Sequence, residues 1–521
     1  MELVKKNIHM NKSKCKSNLQ LTLEDDFNVP DSKPDVEKII KTQGEVKFEE
    51  QKANGNKLHV RGALVFQTLY ISEEHSHPIH SMNAQIPFDE TIHMETDCNQ
   101  DEVTIRVELE DLSSGLINSR KLSVRALLHL SVSADEIHDE EGAVATEEDG
   151  VQTIFKTIDV TGIAVSKKDA YRFRDEIVLP SGKGSISELL YNEIDLKNTD
   201  IRLLADKFTV KGEISVFFLY AGEGEETPFE YYETELPFSA SIDCNGCMEE
   251  MIQNILITLG STNLEVKPDA DGEERLVSVE AVLDMTIRIY EEVSLELVKD
   301  LYSPAKNLTP IFKNVTYENL MLKNTNKAKV TGRVKINPDD PRVLQICHAR
   351  GTAKIDELIK NETGLMAEGI IETGIFYISA DDEKPLQALK AVLTFSQQIE
   401  VANMSENSLF EVWPEVEQVS VMMLDTEEVE VKAVLALNAT IFEQKQEQFM
   451  VDVNEEPLDY EKLQKMPGLI GYVVKAEDSL WDIAKRYYTT VNAIKELNEL
   501  ETDQIATGDH LLILKEAAKF L

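Results

Sequence analysis

Cysteine and long apolar runs are scarce in this sequence, and each scarcity excludes a class of protein. Five cysteines are scattered over 521 residues, too sparsely for the disulfide framework of a small secreted domain. No stretch of about 18 apolar residues occurs, so no membrane-spanning helix is expected. The basic first twenty residues lack the apolar run of a signal peptide. We therefore expect a protein that stays in the cytosol of the cell that makes it.

Positive charge is also in short supply. The chain has 53 lysines and arginines against 95 acidic residues, a net charge of −42. Such a surface repels phosphate backbones and anionic lipid headgroups, which argues against nucleic acid or bare membrane as a partner. The charge either favours partners with basic patches or only keeps a long chain soluble.

Three related segments follow one another along the chain. In each, a glycine is followed by a tyrosine eight residues later and by a phenylalanine 26 residues later, and an alternating apolar run centred on an alanine comes after them. The markers are Gly62, Tyr70, Phe88 and Ala126; Gly212, Tyr220, Phe238 and Ala281; and Gly369, Tyr377, Phe395 and Ala433. Matched spacing of several markers in three copies indicates a triplicated unit.

The local pattern within each copy is mostly strand, because the marker runs are rich in Val, Ile, Leu, Phe and Tyr and alternate with polar residues. The repeat glycines fall inside strands, which indicates a bulge or a close backbone approach. One short helix per copy is expected, at 34–41 and at 185–192, from a proline start and a serine cap.

The fold prediction is a mainly β protein of three tandem β-sandwich-like or barrel-like repeats, followed by a small α+β domain. An acidic stretch between the first two repeats has few residues to bury and is interpreted as a solvated linker, so the repeats are expected to be separate cores. The predicted divisions are 1–134, 135–150 (linker), 151–303, 304–458 and 470–521.

The C-terminal segment differs from the repeats. Its pattern predicts strand, helix, helix and strand in about 45 residues, with Ser479 and Thr490 as helix caps. Trp481 is interpreted as an anchor of this module's core rather than as a ligand-stacking residue, with Tyr472 and Ile483 beside it.

This segment resembles the LysM family. The resemblance rests on the opening Tyr-x-Val, the Asp478-Ser479-Leu480-Trp481 turn, Ile483-Ala484, Asn498 after the second helix, and Gly508 with Leu511. It implies binding of N-acetylglucosamine polymers such as peptidoglycan in a groove between two loops. The implied groove residues, which serve equally as a partner face, are Glu477, Asp478, Ser479, Leu480, Asn498, Ile505, Thr507 and Gly508. Glu477 and Thr507 depart from the glycine and proline that are usual in the family.

The repeats resemble the SPOCS domain of endospore-forming bacteria. The resemblance rests on EDDFNVPDSKPDVEKIIKTQGEV and the following VRGALVFQTLYI strand. It implies a spore coat morphogenetic scaffold in the mother cell, located at the forespore surface, that binds the coat-basement ATPase SpoIVA and helps to encase the forespore. In this sequence we expect the LysM module to act mainly as the protein-binding unit.

No catalytic, cofactor or metal site is expected. Cys244 and Cys247 form the only Cys-x-x-Cys, without the second ligand pair of a zinc site or the context of a redox motif, and are interpreted as structural or incidental thiols. Two other functions remain open: a peptidoglycan-binding protein, and a cell-wall hydrolase or its accessory. A hydrolase would need a nucleophile and base set that is not recognisable here.

Overall fold

The fold is described from a computed structural model of the full chain, over residues 1–72, 78–98, 102–222 and 229–515. Each repeat consists of six antiparallel strands. In the first repeat they are β1 (Leu3–Asn28), β2 (Val36–Asn54), β3 (Lys57–Ser72), β4 (Ile79–His93), β5 (Glu102–Asn118) and β6 (Lys121–Thr146). In the second they are β7 (Gln152–Val178), β8 (Ile186–Leu204), β9 (Lys207–Gly222), β10 (Glu230–Asp243), β11 (Ile252–Pro268) and β12 (Glu274–Tyr302). In the third they are β13 (Lys306–Lys335), β14 (Val343–Asn361), β15 (Gly364–Ser379), β16 (Leu386–Glu400), β17 (Ser408–Met423) and β18 (Glu428–Pro457).

Each repeat is an open sandwich of two three-stranded sheets. In the first repeat one sheet has the order β1-β6-β5 and the other β2-β3-β4, and the later repeats keep this arrangement. Residues from both sheets, such as Leu64 and Phe66 of β3 and Val124 and Leu128 of β6, share one core. The prediction of sandwich-like repeats is confirmed, and the sheets do not close into barrels.

The repeat markers are explained by strand pairing. Gly62 faces Phe88 directly across the β3–β4 pair, and the later glycines face their phenylalanines in the same way. A Cβ placed on Gly62 would lie 2.4 Å from the Lys47 carbonyl oxygen and 2.9 Å from the Phe88 ring. The glycine is therefore required for a close approach, as the sequence predicts. Tyr70 is buried and its hydroxyl donates to the Pro34 carbonyl at 3.2 Å.

The two helices predicted at 34–41 and 185–192 are wrong. These residues begin strands β2 and β8, and each of the two strands has two bulges three residues apart. In β8 the register shifts fall between Ile186 and Glu188 and between Leu189 and Tyr191. A bulge inserts one extra residue and interrupts the two-residue alternation, so the apolar spacing imitates that of a helix.

The interpretation of 135–150 as a solvated linker is also wrong for most of that segment. Residues 135–146 continue β6 and pair with residues 3–13 of β1. The second and third repeats have equivalent stems, and the three stems pack together through apolar side chains. These include Ile8, Met10, Ile158, Val160, Leu295, Leu297, Val315, Tyr317 and Phe449. Acidic residues are accommodated because a paired strand needs only one apolar face.

Each repeat has a core of its own, but the repeats are not independent of one another as the sequence analysis expected. Besides the stems, one sheet of each repeat contributes to a shared apolar cluster that contains Leu69 of the first repeat, Phe217 of the second and Phe376 of the third. The three sandwiches therefore meet one another at shared apolar clusters.

The C-terminal module contains α1 (Tyr460–Lys465), β19 (Leu469–Val473), α2 (Leu480–Arg486), α3 (Val491–Leu497) and β20 (His510–Leu514). Strands β19 and β20 pair antiparallel, and both later helices pack on one face of this sheet. From β19 to β20 the order is the strand-helix-helix-strand pattern that the sequence predicts, and α1 precedes it. Within the described residues, the helices are too short and too polar to span a membrane.

Candidate functional site

The first loop of the C-terminal module is held by hydrogen bonds around Asp478. The Asp478 carboxylate accepts from the Tyr472 hydroxyl at 2.6 Å and from the Lys475 backbone N–H at 2.9 Å, and Arg486 lies 3.6 Å away. The hydrogen bonds from Tyr472 and Lys475 lower the pKa of Asp478. Glu477 is exposed and has a φ of 69°, the left-handed conformation in which glycine is usual.

The second loop lies next to the first. The Gly508 N–H donates to the Val474 carbonyl at 2.9 Å, and the Val474 N–H donates to the Asp509 carbonyl at 2.9 Å. Thr507 is exposed and Ile505 is half-buried. The structure thus brings the two loops together, and their residues Glu477 and Thr507 lie on the outside of the module.

Three of the predicted site residues have structural roles. The Ser479 hydroxyl caps α2 by accepting from the Asp482 N–H at 3.1 Å. Leu480 is buried in the module's core. The Asn498 side chain donates to the carbonyls of Ile494 and Leu512 and accepts from the Leu512 N–H, which joins α3 to β20.

Trp481 lies at the junction between the module and the second repeat rather than deep in the module. It is half-buried, its Nε1–H donates to Asp300 Oδ2 at 2.8 Å, and its ring meets that of Tyr302 edge-on at 4.8 Å. Lys485 also contacts Asp300, at 2.7 Å, and the Tyr302 hydroxyl donates to the Thr489 carbonyl at 3.0 Å. Helix α2 therefore docks the module on the end of β12.

The outer face of the module's sheet is apolar and exposed. Outward-facing positions alternate along β19 and β20, as the burial of each strand shows. The exposed fractions of Leu469, Val473, Leu512 and Leu514 are 57, 49, 47 and 47%. Adjacent apolar side chains of this kind are typical of a contact surface. We call these four residues the outer sheet face.

A second cluster lies where the three repeats meet. Lys41, Tyr191 and His348 come together there, and they occupy equivalent positions in the three repeats. Tyr191 follows Lys41 by 150 residues and His348 follows it by 307, which are the same intervals that separate Gly212 and Gly369 from Gly62. The Glu193 carboxylate accepts from Lys41 at 2.7 Å and contacts His348 Nε2 at 3.0 Å. We call Lys41, Tyr191, Glu193 and His348 the central cluster.

The central cluster is buried and charged. Burial by itself opposes ionisation of Glu193, but Lys41, His348 and Arg350 outweigh this effect and hold its pKa well below the usual range. Burial likewise opposes protonation of His348, whereas Glu193 and Glu233 raise its pKa. The His348 ring stacks on Phe217 of the second repeat at 3.9 Å. The cluster is an ionic link between all three repeats.

Neither Asp300 nor the central cluster was predicted from the sequence. Asp300 follows the bulge between Val298 and Asp300, and its neighbours give no local sign that Trp481 docks on it. The matched repeat spacing could have identified Lys41, Tyr191 and His348 as equivalent positions, but not that they meet.

The paired cysteines lie in the core of the second repeat. Both are buried, and the Cys247 thiol donates to the Leu204 carbonyl at 3.2 Å. Cys244 occupies the position taken by Met94 and Val401 in the other repeats, each of whose N–H groups makes the same turn hydrogen bond. Burial raises the pKa of Cys244 to about 11. These observations agree with structural thiols.

Comparison with protein families assigns both parts of the chain. Residues 35–117, 185–267 and 342–424 match the SPOCS domain of SipL, and residues 472–513 match the LysM domain. Together these segments cover 291 of 521 residues. Nothing among curated proteins or solved structures gives a significant match.

The class of protein follows from this combination: a triplicated β-sandwich protein with a docked LysM module. The chain carries three SPOCS domains of the SipL type and a C-terminal LysM domain, and this arrangement matches a SipL-like protein. Both domains belong to non-catalytic families, and the pair fits a spore coat protein whose LysM module has a carbohydrate-binding type of fold.

Proposed function

We propose that this protein is a non-enzymatic spore coat morphogenetic scaffold, the role of clostridial SipL and of its functional counterpart SpoVID. In this proposal it works in the mother-cell cytoplasm at the forespore surface. Its LysM module binds the coat-basement ATPase SpoIVA, and the protein helps coat material to encase the forespore. The matches to the SPOCS and LysM domains support the coat assignment, and the exposed outer sheet face carries the proposal that the module binds a protein.

The chemistry of that face favours protein over glycan. Four large apolar side chains on one face of the sheet bury well against another protein surface, at about 25 cal/mol for each Å² removed from water. The loops that would hold a sugar polymer instead present the Glu477 carboxylate and Thr507. We also retain the domain boundaries 151–303, 304–458 and 470–521 as proposals.

The docked geometry decides which variants test this function. Lys485→Glu would repel Asp300 and release the module, and Asp478→Lys would break the bonds from Tyr472 and Lys475. Neither reversal therefore tests a partner surface alone. Val473→Lys with Leu512→Lys changes only exposed positions and is the sharper probe.

The test is a pull-down of purified SpoIVA on the full chain. We expect capture by the wild type, loss of capture on removal of residues 470–521, and a strong reduction with Val473→Lys and Leu512→Lys. Thr507→Lys is the control, because it adds a lysine at an exposed position in the loops rather than on the outer sheet face. Full capture without residues 470–521 would contradict the proposal.

The alternative function is peptidoglycan binding, or accessory binding for a cell-wall hydrolase, and the LysM match itself favours it. Titration of chitin oligomers into the full chain separates the two functions. Saturable binding that Thr507→Lys abolishes, with no dependence of SpoIVA capture on the module, would support the alternative.

A further inference from the structure

A cleft of about 810 Å³ separates the first and third repeats beside the central cluster. Its volume lies within the range of ligand-binding pockets. Most of its lining comes from β2 and β5 of the first repeat and from β14, β16 and β17 of the third, all of which are edge strands of their sheets. The central strands β6 and β15 and Glu193 of the second repeat complete the lining. Much of the cleft is therefore bordered by strands that have a partner strand on one side only.

Strand β5 presents its edge to the cleft rather than a face. All seven residues from Arg106 to Leu112 line the cleft, although alternate side chains point to opposite sides of a strand. Val107, Leu109 and Leu112 pack inward on the core of the first repeat, whereas Glu108 is exposed. A bulge between Leu109 and Asp111 shifts the alternation within this segment, and among the described strands β5 pairs only with β6, so its other edge carries backbone N–H and C=O groups without a partner strand.

Two contacts hold the walls of the cleft near this edge. Lys354 of the third repeat donates to the Glu110 carbonyl of β5 at 2.9 Å. Arg106 of the first repeat lies over the Trp413 ring of the third. The Thr373 hydroxyl, which lines the cleft and is fully buried, has no hydrogen-bond partner in the described chain. These contacts join the two walls of the cleft, and Thr373 provides one buried polar group without a partner among the described residues.

The charge of β5 indicates the kind of partner. Glu108 and Asp111 are exposed at the cleft, and within the described residues neither forms an ion pair. The five lysines and arginines that line the cleft all have partners: Lys41 has Glu193, Arg350 has Asp195, Lys354 and Lys390 share Glu372, and Arg106 lies over the Trp413 ring. A chain with a net charge of −42 adds a long-range attraction for cations.

We propose that this cleft binds a basic, extended peptide segment of a partner protein, which adds as a strand to the free edge of β5. The peptide backbone bonds to the exposed groups of residues 106–112, a length of roughly 20 Å. Its Lys or Arg side chains face Glu108 and Asp111. This site differs from the LysM module, so it gives the scaffold a second, independent point of attachment.

The probe is a fluorescein-labelled nine-residue peptide of alternating lysine and valine, titrated into the full chain. We expect saturable binding, and protection from hydrogen exchange in residues 106–112. A peptide of equal charge with proline in place of every valine lacks half of its backbone donors and should not bind. The variant Glu108→Lys with Asp111→Lys should raise the Kd about tenfold or more, whereas Glu24→Lys, an exposed reversal on β1, should not.

Several results would overturn the proposal: no saturable binding, equal binding of the proline peptide, equal loss with Glu24→Lys, or protection confined to other strands. Each of these is independent of SpoIVA capture by the LysM module. Failure of the cleft proposal and failure of the proposed function are therefore distinguishable.

Discussion

Replacing Glu193 by glutamine tests whether the three repeats form one body. The Glu193 side chain is 2% exposed and contacts Lys41 of the first repeat and His348 of the third. Removing one partner of a buried ion pair typically costs about 3–5 kcal/mol. We expect about 3 kcal/mol, because His348 can release its proton and the Lys41 side chain is 21% exposed.

Calorimetry converts this cost into a shift. Unfolding entropy is about 2.1 cal/mol/K per residue, so roughly 450 residues that melt together give about 0.9 kcal/mol/K. Glu193→Gln should then lower the Tm of a single shared transition by about 3 °C. Glu176→Gln, at an exposed position of the same repeat, is the matched control. The reasoning would be refuted if Glu193→Gln had the same Tm as Glu176→Gln. It would also be refuted if the wild type unfolded in three separate transitions and Glu193→Gln shifted none of them.

Three further predictions follow from particular contacts. The pKa of His348 is raised in the folded state, so its contribution to the free energy of unfolding is fully present below the unfolded pKa of about 6.5 and is lost as the pH rises through the folded pKa. Urea unfolding between pH 6 and pH 9 should show this loss of stability, and His348→Gln should make the stability less dependent on pH. Asp300→Ala removes the bonds from Trp481 and Lys485, so limited proteolysis should release a folded LysM module, whereas an undiminished resistance to protease would contradict the docking. Gly369→Ala should lower the free energy of unfolding, measured in urea, by about 1–3 kcal/mol, because the new Cβ would lie 2.1 Å from a carbonyl oxygen. Gly182→Ala is the control, since its Cβ would have no atom within 4 Å. Equal stability of the two variants would contradict the close approach.

Most of the correct structural predictions came from the sequence repeats and from local features such as helix caps. The 26-residue interval between Gly62 and Phe88 is a hairpin pairing, and the caps Ser479 and Thr490 begin the helices of the LysM module as the sequence indicates. Such features depend on residues that are close in the sequence or on adjacent strands, so they can be recognised from the sequence alone.

The errors share one cause, which is contact between distant parts of the chain. The stretch 135–146 is acidic and looked solvated, yet it pairs with β1, more than 120 residues earlier. Trp481 packs against the core of the LysM module, but its indole N–H is also bonded to Asp300 of the second repeat, which the sequence did not indicate. The bulges that place Tyr191 in the central cluster also disturbed the strand alternation, which is why that segment resembled a helix.

The most direct test of the proposed scaffold role is the position of the protein in sporulating cells of its own organism. A fluorescent fusion of the full chain should form a shell around the forespore. The shell should become diffuse in the mother cell when SpoIVA is absent, and also when Val473→Lys and Leu512→Lys are introduced, but not with Thr507→Lys. A shell that persists without SpoIVA, or that ignores the change to the outer sheet face, would contradict the account.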